Sequence, residues 1–336
     1  MAFFILKFHV LIFLSDSSMN RIITTILLML AVSASYAQRT ELLPYGDMNS
    51  WVTRDIKESH IIGGDWKKCY AIGPETVIKG DNPYRNMGGS PWATSNVMAK
   101  VMGITKVSNA VFPAERAHGD KCAKLTTMIE HCKAIGIINI DVLVAGTMFL
   151  GEMMEPIKST SDPYGKMEVG MPFTKRPVAL VYDYKLDVPA NGKMIYSSGF
   201  GRKKEMPGRD KAEVFVILQR RWEDAEGNLY AKRVGTGREL LGTATQGWKN
   251  GHKLDIHYGD ITGEPFYRKY MGLIPEAKSY YARNSKGEMV PVKEVGWDAA
   301  DATPTHAVVM FSSGSGEPYT GTPGTTLYVD NVAMAY

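Results

Sequence analysis

The stretch "RPVALVYDYKLDVP" constrains this chain more than any other. Val178, Leu180, Tyr182, Tyr184 and Leu186 share one parity, and Asp183, Lys185 and Asp187 share the other. A period of two sends alternate side chains to opposite faces of an extended strand, and the bounding Pro177 and Pro189 punctuate it. "AEVFVILQRRW", "EDAEGN" and "LYAKRV" then read as strand, Gly-Asn turn and strand, a hairpin. "IGIINIDVLVAGTMFLG", "KLDIHY" and "THAVVMFSS" belong to the same class. One segment competes as a helix, "KCAKLTTMIEHCKA", and Thr126, Thr127 and Ile129 leave it open between helix and strand. Many short strands punctuated by 33 Gly and 17 Pro predict an all-β chain folded as an antiparallel β-sandwich.

The last strand carries an irregularity. In "GTPGTTLYVDNVAMAY", Leu327 and Val329 lie on one parity, whereas Val332, Met334 and Tyr336 lie on the other. The apolar face survives only if the strand skips a residue at Asp330-Asn331, which predicts a β-bulge that turns a carboxylate out of the regular ladder.

The 336 residues are 44% hydrophobic and 22% charged, a composition that excludes disorder. The formal net charge is +4, and setting aside residues 1–37, which hold Lys7 and Arg21 against Asp16, leaves +3. The basic residues are scattered, the densest run being "GFGRKKEMPGRDK", so the charge gives no case for nucleic acid. Met19 and Arg21 precede the apolar run "IITTILLMLAV", and Ser35 and Ala37 are small residues at a cleavage-like site. This is the grammar of a signal peptide over residues 1–37, with Met19 as an alternative start and cleavage between Ala37 and Gln38. The run is shorter than a membrane-spanning helix needs, so no membrane insertion is expected after cleavage. The remainder, 38–336, reads as a single exported domain, periplasmic, cell-surface or extracellular. Export permits disulfides, but Cys69, Cys122 and Cys132 are odd in number. Either Cys122 and Cys132 close a small loop, or all three are buried small apolar residues.

Most chemistry-bearing motifs are missing. "GTGRELLG" lacks the glycine spacing of a pyrophosphate cradle, and "GTATQGWK" puts Trp248 where a P-loop needs lysine. The histidines form no H-E-x-x-H, and no G-x-S-x-G elbow is present. Glycoside cleavage needs two carboxylates across the scissile bond. Glu152 with Glu155, and Asp255 with Asp260 and Glu264, are not spaced as a ladder on one strand, so a hydrolase would have to draw its acid pair from separate strands.

Saccharide binding asks for less: a flat aromatic ring to cover the C–H face of a sugar, with polar groups alongside for its hydroxyls. Six Trp and 17 Tyr supply rings. Trp92 in "GGSPWATSN" stands among loop formers beside Asn96, a candidate for hydroxyl contacts; Trp222 at a strand end and Trp248 in "TQGWKNG" come next.

"LPYGDMNSWVTR", "SPWATSN", "GTMFLG", "MPFTKRPVALVYDYKL", "KLDIHYGD" and the terminal "FSSGSGEPYTGTPGTTLYVDNVAMAY" occur in an order that resembles the putative carbohydrate metabolism domain family, secreted jelly-roll proteins of gut-type Bacteroidetes, over Leu43 to Tyr336. The resemblance implies a β-jelly roll shaped like carbohydrate-binding modules and a link to glycan use, with no established catalytic residues. It further implies that the two chain ends meet around a structural Ca2+, with Asp47, Asn49 and Asp330 as ligands. Asn49 stands where the pattern usually has an acid, so the alternative is that Asp330 accepts hydrogen bonds from the turn near Asp47. The expected function is therefore binding or processing of a polysaccharide or oligosaccharide. The alternatives are a glycoside hydrolase and a non-catalytic surface adhesion module.

Overall fold

The alternating segment forms a strand in the computed structural model, which describes residues 39–59, 65–101, 103–134, 138–158, 164–199, 201–315 and 317–336. The expected signal peptide lies outside the described residues. The strands that matter for function are β1 (Trp92–Thr94), β2 (Val111–Ala117), β3 (Asp120–Thr126), β4 (Thr147–Met153), β5 (Ala179–Asp187), β6 (Ala212–Glu223), β7 (Leu229–Leu241), β8 (Lys249–Asp255), β9 (His306–Ser312) and β10 (Thr326–Ala335). The segment left open between helix and strand is extended: it supplies β3 and then the strand Met128–Ala134.

Two sheets face each other. One runs β2-β3-β10-β5-β8, and the other contains β1-β4-β9-β6-β7; every one of these pairings is antiparallel. The chain changes sheets between β1 and β2, and again at every step from β3 to β10 except the β6–β7 hairpin. This is jelly-roll winding, and it places strands far apart in sequence side by side.

The expected parity holds within the strand. Leu180, Tyr182 and Leu186 of β5 and Leu327, Val329, Val332 and Met334 of β10 meet Val214, Val216 and Leu218 of β6 and Val309 and Phe311 of β9. Phe311 meets the Tyr182 ring edge-on, with centroids 5.0 Å apart. Val178 departs from this pattern: it precedes the strand and is exposed, and its N–H donates to the Ala335 carbonyl.

The second sheet is buried on both faces. Phe149, Phe215, Ile217, Val308 and Met310 pack on its far side against Ile274 and Tyr280 from the segment that follows β8. Double burial explains why "AEVFVIL" is apolar throughout instead of alternating. The first sheet keeps its alternation, with Tyr328, Lys185 and Asp187 directed away from the core and partly or fully exposed.

The chain ends meet in the first sheet. Thr40–Leu42 pairs with Ala333–Ala335, and beyond it the Val332 N–H donates to the Gly46 carbonyl at 2.8 Å. Gly46 is required by this approach, because a Cβ there would sit 2.4 Å from the Val332 carbonyl oxygen. The predicted bulge is also present. Val181 pairs with Ala333 and Asp183 with Asp330, so the register shifts between them, and Asn331 takes φ +50°, a conformation that Asn tolerates better than most residues.

Candidate functional site

Three register shifts fall in one row across the outer face of the first sheet. Besides the shift at Asp330-Asn331, the β2–β3 pairing slips between Glu115 and Ala117, around Arg116, and the β5–β8 pairing slips between Tyr182 and Tyr184, around Asp183. Bulges re-aim side chains, and here they bring one cation and two carboxylates together. Arg116 Nη1 donates to Asp330 Oδ2 at 2.5 Å and to Asp183 Oδ2 at 2.8 Å, while its Nη2 donates to Asn250 Oδ1 at 2.7 Å. The Asn331 amide donates to Asp183 Oδ2 at 2.9 Å, and the Gly251 N–H donates to Asp183 Oδ1 at 2.6 Å.

The two acids are held differently. Burial pushes the Asp330 carboxyl above the usual carboxylate range, against the pull of Arg116 and the Asn331 N–H. Burial also opposes ionisation of Asp183, but the hydrogen bonds from Asn331, Gly251 and Arg116 outweigh it and hold that carboxyl low. The guanidinium stays charged: burial disfavours it, and its bonds to Asp330 and Asp183 more than compensate.

An aromatic group covers this cation. The Arg116 guanidinium carbon lies 4.3 Å from the centre of the Trp248 ring, within cation–π range. Trp248 is only half-buried and meets Tyr328 edge-on at 6.4 Å. Lys185 Nζ lies 4.3 Å from the centre of the Tyr328 ring. The face thus offers a supported indole with a carboxylate, a carboxamide and cations fixed around it. These are the group types a sugar ring and its hydroxyls use.

The expected residues divide sharply. Trp248 and Asp330, singled out for different reasons, belong to one cluster, and its centre, Arg116, was not anticipated. Trp92 is a correction: it is 1% exposed, packs near Phe311, and donates its indole N–H to the Pro44 carbonyl, so it is core and cannot stack on a ligand. Asn96 is a second correction. It is 5% exposed, its Nδ2 donates to the Tyr70 and Val111 carbonyls, and its Oδ1 accepts from the Ala110 and Val111 N–H groups. No capacity remains for a hydroxyl. Trp222 is 40% exposed and stacks on Tyr230 of the β6–β7 hairpin, in the other sheet from Trp248.

The proposed calcium ligands are not assembled as a cation site. Asn49 Oδ1 accepts from the Lys121 N–H at 2.8 Å and its Nδ2 lies 3.5 Å from Asp47 Oδ2, whereas Asp330 binds Arg116. Among the described residues no hydrogen bond joins the two sets, and no group of three or more His, Cys, Asp or Glu could hold a metal ion. A guanidinium already sits where Asp330 would present its charge to a cation, so these residues do not fit calcium, and Arg116, not the turn at Asp47, is the partner of Asp330. The Gly-Asn turn after Trp222 closes the predicted hairpin, with Asp224 accepting from the Glu226 and Asn228 N–H groups. Cys69 and Cys122 are buried free thiols, each pushed up to about 12 by burial.

A second polar cluster joins the two sheets. The Tyr182 hydroxyl, fully buried, donates to Glu239 Oε1, and His252 Nε2 lies 2.9 Å from the same oxygen. Its placement gives the buried phenol the partner it needs, and no second carboxylate stands beside Glu239 in that set of bonds.

The family model described as the putative carbohydrate metabolism domain matches residues 65–255. A solved structure of a putative glycoside hydrolase from Bacteroides thetaiotaomicron VPI-5482 is 16% identical, with 81% of this chain and 75% of that chain covered at a TM-score of 0.42. Another, a putative glycoside hydrolase from Bacteroides vulgatus ATCC 8482, is 13% identical, with 88% and 94% covered at a TM-score of 0.41. No curated protein matches.

Proposed function

Since this chain belongs to the putative carbohydrate metabolism domain family, we propose that it is an exported saccharide-binding protein whose contact surface is the outer face of the first sheet, with Trp248 as the stacking ring. Asp183, Asn250 and Arg116 surround that ring and meet sugar hydroxyls. The observation that carries this reading is the support beneath Trp248: the indole rests on a guanidinium that is itself bonded to three acceptors. A ring held this firmly loses little freedom when a ligand covers it, and preorganisation of that kind is what gives weak stacking contacts net affinity. The leader-like pattern of residues 19–37 supports export.

Binding without bond cleavage is favoured by the state of the acids. Asp183 and Asp330 are the two carboxylates this face brings together, and both are engaged by Arg116, with Asp330 1% exposed. A glycosidase needs one acid free to donate a proton and another free to attack or to activate water. Affinity electrophoresis through gels containing a panel of polysaccharides, paired with a reducing-sugar assay, tests the reading. Trp248→Ala is expected to abolish retardation by the retained polysaccharide, and Trp222→Ala to leave it. Sugar release that disappears on substituting Asp183 would establish a hydrolase instead, and capture of a protein with no glycan retention would favour adhesion.

A further inference from the structure

The same face carries a second row, one pleat along from Arg116. Phe112 of β2 pairs with Lys124 of β3, Lys124 pairs with Tyr328 of β10, and Tyr328 pairs with Lys185 of β5. Residues directly opposite one another in a sheet project to the same side, so ring and cation alternate across four strands. Trp248 extends the row at its β8 end through its edge contact with Tyr328. With strands about 4.8 Å apart, Phe112 to Lys185 spans about 14 Å, enough for several sugar rings laid across the strands.

The charges in this row are not all balanced internally. Arg116 is committed to Asp183 and Asp330, and Lys185 lies 3.4 Å from Asp187, which is half exposed. Lys124 is half-buried, and among the described residues no salt bridge engages it. Lys124 stands between Phe112 and Tyr328 in the register, and its charge is available to an external anion. Aromatic rings flanking cations at single-strand spacing match a polymer in which each pyranose carries its own carboxylate beside an apolar C–H face.

Resting on the reading that this face binds saccharide, we infer that its ligand is an acidic polysaccharide built of hexuronate residues, with Lys124 and Lys185 meeting uronate carboxylates and Phe112, Tyr328 and Trp248 meeting the sugar rings. A monovalent planar carboxylate on each ring suits the lysines of this row better than it suits Arg116, whose charge is already balanced by Asp183 and Asp330.

The test compares polygalacturonate with its fully methyl-esterified form, the same backbone without the charge, by affinity electrophoresis of the full chain. Retardation is expected with polygalacturonate. Lys124→Gln in a variant whose melting temperature is unchanged is expected to weaken it about five-fold, the scale of one partly screened ion pair, and esterification, which removes the partners of both Lys124 and Lys185, about 25-fold. Lys185→Gln provides an independent second variant. Trp248→Ala is expected to abolish retardation by both polymers. Equal retardation by the two polymers that is lost in Trp248→Ala would overturn the uronate assignment while leaving saccharide binding in place. Retardation unaffected by Trp248→Ala, or none with any polysaccharide, would overturn both. Equal retention by dextran sulfate or by single-stranded DNA would show a general polyanion surface and overturn the assignment as well.

Discussion

Removing the guanidinium of Arg116 is the perturbation with the most calculable result. Arg116→Met keeps the length of the side chain but leaves Asp330, 1% exposed, with the Asn331 N–H as its remaining donor among the bonds described above. Breaking a buried ion pair from one side costs about 3–5 kcal/mol, because the remaining charge has no partner. The side chain of Arg116 is 15% exposed, and Asp330 can escape the penalty by taking up a proton, so the low end, about 3 kcal/mol, is expected at pH 7. For a domain of about 300 residues that is a drop in Tm of about 5 °C. The pH dependence has a definite sign. Asp330 in the variant has a folded pKa above its unfolded value, so its ionisation removes stability as pH rises through that range, and the loss relative to wild type shrinks as pH falls toward 4. Asp330→Asn alone should cost less, and the double variant should lie close to it, giving a coupling of about 3 kcal/mol. Urea unfolding followed by tryptophan fluorescence at pH 7 and pH 4.5 measures all four corners of the cycle. Additivity within about 0.5 kcal/mol, or the same loss at both pH values, would refute the argument; so would a wild-type melting curve that falls on adding a chelator, since that would return calcium to Asp330.

Other expectations follow from single contacts. Gly46→Ala puts a Cβ 2.4 Å from the Val332 carbonyl, and thermal melts should show a loss of about 1–3 kcal/mol as the joined chain ends are pushed apart. Trp92→Phe removes the indole bond to Pro44 and leaves a gap in the core; it should lower Tm while leaving polysaccharide retention intact, and lost retention at unchanged Tm would restore Trp92 as a contact residue. His306 is pushed down to about 4 from 6.5 by burial and then by Arg221. The folded state therefore binds fewer protons than the unfolded chain between those values, and stability falls as pH drops from 6.5 to 4 and levels off below. Fully realised, the gap is worth about 3 kcal/mol, and screening at a half-buried site reduces it to about 1–2 kcal/mol. His306→Asn should flatten the profile in that window, and a profile unchanged by the substitution would contradict the assignment.

The parts of this fold that could be read from the chain were those with a local period. The parity of Leu180 to Leu186 and the slip between Val329 and Val332 each show within a few residues, so the strand and its bulge were both foreseeable. Trp92 and Asn96 were misjudged because Gly, Ser and Thr neighbours mark a turn without telling which way the ring or amide points. Here the strand Trp92–Thr94 enters the core, and the Asn96 amide is consumed by the backbone carbonyls and N–H groups around it. Arg116 gave a faint signal at most: it sits where the alternation of Phe112 and Ala114 runs into "HGD". Its partners are 67 and 214 positions away, and only the jelly-roll winding brings them together. That Asp330 is engaged by Arg116 and does not fit a calcium site was hidden for the same reason, since its partner comes from a strand that no local pattern connects with it.

The most direct measurement on the central claim is a hydrogen-exchange footprint, taken with and without a polysaccharide that retards the protein. Slower exchange confined to residues 111–125, 182–187, 248–251 and 326–331 is the result expected if the ligand lies across the first sheet. Slowing that falls instead on the β6–β7 hairpin around Trp222 and Tyr230, with the first sheet unchanged, would contradict it.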